Sequence, residues 1–181
     1  MINKYFFDYN GDGDKMKIGI ILATSQCDKA QSIENILKDI VDEDIINFGC
    51  FDDEEYSYVE ISLLIGLLIN SGAVDFVITG CSSGQGMMLS CNAMPNVICG
   101  YISTVGDAYL FRHINDGNVI SLSFGLNYGW CGDINVKYIL EALFLDVEYH
   151  IDDMSRKQHD TTLLKQINKI LKFRTSISII N

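Results

Sequence analysis

The segment DFVITGCSSGQGMML, Asp75 to Leu89, sets one cysteine and two serines among glycines. Phe76, Val77, Ile78 and Thr79 form a β-branched and aromatic run that stops at Gly80, and the stretch after Gly86 meets no breaker before Pro95. The pattern predicts a strand, a tight loop and a helix N-terminus. Small residues there let backbone N–H groups turn toward an anion, and the helix adds the positive end of its dipole. A cysteine in that position is where a thiolate is stabilised. A thiolate beside an oxyanion nest suits proton abstraction next to a carbonyl, where charge develops on an enediolate oxygen. The competing role for Cys81 is structural, as the end of a buried strand. The local residues leave both roles open.

Other chemistries built on such loops fit less well. Gly80-Cys81-Ser82-Ser83-Gly84 matches Gly-x-Ser-x-Gly, the nucleophile elbow of α/β-hydrolases. Ser82 would then need a later histidine, and His113, His150 and His159 are available. The chain is short for that fold and has no three-glycine oxyanion motif. A cysteine-phosphatase loop needs arginine where Met87 stands, and a Walker loop needs a lysine that is absent. The first strand is followed by ATSQCD rather than by a dinucleotide-binding Gly-x-Gly-x-x-Gly. Asp8 to Gly13 begins like a calcium loop, but its twelfth place is Gly19, inside a strand, where a bidentate glutamate is required.

A net charge of -11 opposes nucleic acid and anionic membranes as partners. A local nest can still bind an anionic metabolite. The six cysteines form no C-x-x-C pair and lie among apolar or small residues, as buried free thiols do, which suggests a reduced, cytoplasmic protein. The N-terminus lacks the pattern of a signal peptide, and the longest apolar run, Ile61 to Ile69, is too short to span a bilayer.

The elements that must position the loop alternate along the chain. Strands are expected at Lys17 to Ala23, Asp44 to Gly49, Asp75 to Thr79, Asn96 to Ile102 and Asn118 to Phe124. Helices are expected at Gln31 to Val41, Tyr58 to Asn70, Asp107 to Ile114, Asp133 to Phe144 and Thr161 to Phe173. Apolar, non-alternating strands between helices imply a doubly wound, Rossmann-like α/β fold: five parallel strands with helices on both faces, a three-layer αβα sandwich. Ligands then lie at the carboxyl ends of the strands. A polar tail (residues 1–15) is followed by one domain, residues 16–181, with a C-terminal helix at 160–173.

GCSSGQGMMLSCNAMPNVICGY resembles the ribose-5-phosphate isomerase B / galactose-6-phosphate isomerase family, which carries a Cys-Gly-Thr-Gly-x-Gly loop, a helix ending in Ala-Asn and then a strand. Asn115-Asp116-Gly117-Asn118-Val119 resembles the family's Asn-Asp-x-Asn-Val. The resemblance implies aldose–ketose isomerisation of a phosphorylated pentose or hexose through a cis-enediol(ate), with no metal and no cofactor. It implies a homodimer or tetramer with active sites shared between subunits. It makes Cys81 the base and places Ser83 where a threonine assists ring opening. Gly84, Gln85 and Gly86 would offer N–H groups to the enediolate, and Ser82, Asn92, His113 and Asn115 would meet substrate, His113 and Asn115 from the second subunit. Arg156, in DDMSRKQHD, would hold the phosphate.

The sequence also departs from the family. Thr24-Ser25-Gln26 replaces Asp-His after the first strand, Ile114 stands where a histidine precedes Asn-Asp, and Gly125 falls where an arginine is expected. These losses keep a second function open, a non-catalytic sugar-phosphate binding or regulatory subunit of the same fold. Asp107 reads as a helix cap. The loop Asn127 to Gly132 has no counterpart in the family and suggests a shaped wall near a site or an interface.

Overall fold

The computed structural model describes residues 15–49, 56–145 and 163. Its strands are β1 (Lys17–Ile20), β2 (Asp44–Asn47), β3 (Phe76–Cys81), β4 (Cys99–Ile102) and β5 (Val119–Ser123). Its helices are α1 (Ala30–Ile40), α2 (Tyr58–Ser71), α3 (Gln85–Asn92), α4 (Val105–Leu110) and α5 (Gly132–Phe144). All strand pairs are parallel, in the order β2-β1-β3-β5-β4. β5 is buried at every position and β3 at all but its last, as continuous apolar runs in a covered sheet require.

The core divides by face. Ile18, Ile20, Ile78 and Ile120 pack with α1, α4 and α5, whereas Val77 and Val119 pack with α2 and α3. The expected doubly wound sheet is therefore present, with helices on both sides. Ser57 caps α2 through a reciprocal pair with Glu60, and Gly72 closes it in a left-handed conformation.

Several boundaries shift. Cys81 is the last residue of β3 rather than a loop residue, because its backbone pairs with Ser123. The helix expected at Asp107 to Ile114 starts at Val105 behind a Thr104 cap and ends in a π-helical turn, Phe111–Asn115. The expectation of six buried free thiols fails twice: Cys27 is disulfide-bonded and Cys131 is exposed. No described helix is long and apolar enough to cross a membrane. Arg156, the expected helix at 160–173 and residues 1–14 of the tail lie outside the described residues, Leu163 excepted.

Candidate active site

Chain winding reverses between β1 and β3, the place where open parallel sheets hold ligands. The CSSGQG loop sits at the carboxyl end of β3, and Thr24–Lys29, a 3-10 turn, follows β1 beside it. The Cys81 thiol is free and half-buried, and its Sγ accepts the Gly84 N–H at 3.2 Å. Ser83 Oγ lies 4.0 Å from that sulfur and accepts the Gln85 N–H at 3.3 Å. Of the three N–H groups expected to face an enediolate, those of Gly84 and Gln85 are thus occupied inside the loop. Gly84 has φ 73°, and a side chain there would meet the Tyr101 ring at 2.6 Å. Only glycine allows this turn.

Ser82 anchors the loop to its neighbours. Its carbonyl accepts the Gly125 N–H at 2.8 Å and the Ser123 hydroxyl at 3.1 Å, and its Oγ accepts Gln26 Nε2 at 3.1 Å. Gln26 is the site residue that the motifs did not single out. The available signal was its place, a polar residue just past β1 at the switch point. Thr24 also tethers this wall, through its hydroxyl, to the backbone of Tyr56.

The remaining candidates are elsewhere in this chain. Asn92 stands at the opposite end of the sheet, bonding the backbone N–H and C=O of Cys99 at the start of β4. His113 stacks on Tyr109 with ring centroids 4.1 Å apart, and Asn115 is exposed in the turn before β5. Cys81 is level with Ser123, the far end of β5. β5 begins four strand steps, about 13 Å, below that level, and His113 and Asn115 lie in the turn that leads into its start. One chain does not bring these groups together.

Residues 18–162 match the family model described as ribose/galactose isomerase. The chain belongs to the ribose/galactose isomerase family. A 4-deoxy-L-threo-5-hexosulose-uronate ketol-isomerase, solved with a tartrate, is 38% identical to it, with TM-score 0.77 over 87% of this chain and 76% of that one. The ribose-5-phosphate isomerase of Vibrio parahaemolyticus is 35% identical, with TM-score 0.76 over 86% and 76%. The type B ribose 5-phosphate isomerase of Trypanosoma brucei shares the fold at 19% identity, TM-score 0.68, over 84% and 99%. No curated protein matches the chain. The chain is a sugar isomerase.

Within this family member, the missing arginine has a local reason. A Cβ at Gly125 would stand 2.8 Å from the Ser82 carbonyl oxygen, so this backbone admits no side chain there. Beyond Gly125 the loop at Asn127 to Gly132 is pinned to α1. Asp133 accepts from Ser32 Oγ at 2.6 Å and from the Tyr128 hydroxyl, and the Tyr128 ring packs edge-on against Phe124. Burial and the Asp133 contact push the Tyr128 phenol up to about 12, so it remains a donor.

Proposed function

We propose that this isomerase interconverts the aldose and ketose forms of a phosphorylated pentose or hexose through a cis-enediol(ate), with Cys81 as the base. The supporting observation is the free thiol at the switch point, with Ser83 beside it and the N-terminus of α3 behind it. The Cys81 thiolate takes the proton from the second carbon, and the electron pair moves into the enediolate. Negative charge on the first oxygen is stabilised by the Gly86 N–H and the positive end of the α3 dipole. The thiol then returns the proton to the first carbon, while the hydroxyl proton passes between the two oxygens. Isomerisation in deuterated water should place deuterium on the receiving carbon, whereas a protein that only binds the sugar gives none.

The site is completed by a second copy of the chain, which would bring His113 and Asn115 to Cys81. Two observations favour this. The groups are separated within one chain, and the α2–α3 face beside the loop carries exposed Val59, Leu63, Leu67 and Leu89. Glu60 is the sole charged residue of those two helices, so two strongly acidic copies can meet there without repulsion.

A second reading concerns the acid group alone. The relative at 38% identity is named for a uronate, and Thr24-Ser25-Gln26 and Gly125 occupy two places where the family carries charged groups. A carboxylate would then replace the phosphate, with the same proton transfer at Cys81. Side-by-side assays of ribose and galactose phosphates against keto-uronates decide between them.

A further inference from the structure

A cavity of about 490 Å³ opens at the carboxyl ends of β4 and β5, between the starts of α4 and α5. Small-ligand sites run from about 300 to 1,000 Å³. None of its walls comes from the CSSGQG loop or from Thr24–Gln26. Leu122 and Phe124, which line it, belong to the α1–α4–α5 layer, whereas the Cys81 side chain packs with the α2–α3 layer. The cavity and the thiol are on opposite faces of the sheet.

Its chemistry also differs. In a chain with net charge -11, none of the described residues lining this cavity is charged. A phosphate or carboxylate would find no cation among them. Asn127 and Asn135 each present an amide that both donates and accepts. The Thr104 hydroxyl, which accepts the Asp107 N–H, adds a further polar group to this wall. Between the lining residues Gly129 and Cys131 stands Trp130, with its indole wholly in solvent. Phe124 and Tyr128 line the cavity, and aromatic rings beside neutral donors and acceptors suit a molecule with an apolar C–H face and a rim of hydroxyls. The Tyr128–Asp133–Ser32 contacts hold this wall in place before anything binds.

We infer that this cleft is a second binding site that takes an uncharged sugar ring, separate from the isomerisation site. It does not depend on Cys81 being the base. Trp130 is the chain's single tryptophan and stands outside the lining, between the lining residues Gly129 and Cys131, so its fluorescence is the reporter at the rim of this cleft. The probes are methyl β-D-galactopyranoside and methyl β-D-ribofuranoside, whose blocked anomeric carbons prevent isomerisation. Full-length protein should show a saturable emission change with a dissociation constant of about 1–10 mM. Asn135→Ala should weaken it about tenfold with isomerase activity retained, and Cys81→Ala should leave it unchanged. Should Asn135→Ala lose its native circular dichroism, Asn127→Ala makes the same test from the loop. No saturable change up to about 100 mM overturns the inference. So does an emission change that follows protein concentration instead of sugar, which would mean that a second copy covers Trp130. Loss of the glycoside response when ribose 5-phosphate saturates the Cys81→Ala variant would also overturn it, because one site would then hold both.

Discussion

Around Cys81 the reactive side chain is placed by backbone geometry. Gly84 turns its N–H onto the sulfur, Gly125 lets the Ser82 carbonyl approach, and Gln26 holds the Ser82 hydroxyl. Cys81→Ala should cut turnover by about a hundredfold to ten-thousandfold, the usual loss of a positioned base, with the fold unchanged by circular dichroism. Near wild-type turnover would reject the mechanism. Alkylation gives a second check, because Cys91 and Cys99 are buried. The hydrogen bond with Cys91 and burial push the Cys99 thiol up and keep it protonated. Iodoacetamide should label Cys81 and the exposed Cys131, and substrate should protect Cys81 only. Gly125→Arg, which restores the family's residue, should lower Tm by roughly 3–10 °C because its Cβ meets Ser82. The loop was legible because strand, glycines and cysteine are adjacent in the chain. Gln26 was not, because its role depends on β1 lying next to β3, a contact that no local motif records.

Among the elements, the strands were the most legible, since apolar runs buried on both faces leave a strong pattern even over four to six residues. Their ends were less so. Cys81 belongs to β3 through its pairing with Ser123, and the π-helical turn at Phe111–Asn115 has no composition of its own. The caps behave as their residue types require. Thr104 accepts the Asp107 N–H, while the Asp107 carboxylate accepts the backbone N–H groups of Ser103 and Thr104. Burial alone would raise the Asp107 carboxyl, but these bonds outweigh it and hold it below the ordinary 3.8. A carboxyl depressed in the folded state adds stability above its ordinary value and loses it as pH falls through the lower folded value. Urea unfolding should therefore show wild type ahead of Asp107→Asn at pH 7, with the gap narrowing below about pH 4. Thr104→Ala should cost about 0.5–2 kcal/mol at neutral pH. A gap for Asp107→Asn that widens in acid would contradict the bonding described.

At the scale of the whole molecule, the sequence and its family resemblance listed Cys81, His113 and Asn115 as one site, yet the parallel sheet sets them at opposite ends of the chain's own body. Residues can share a site without sharing a chain, and a two-fold pair of copies facing along α2 and α3 would satisfy both observations. Leu63→Asp places a charge on that face at an exposed position, so the monomer should still fold. Sedimentation should then show a monomer, and isomerase activity should fall with it. Complementation tests the sharing itself. Cys81→Ala and Asn115→Ala homodimers should each be nearly inactive. When the two are unfolded together and refolded, random pairing gives about half mixed dimers, each with one intact site of two. Activity should rise to about a quarter of wild type. If each site is built within one chain, every site in the mixture carries a lesion, and mixing recovers nothing.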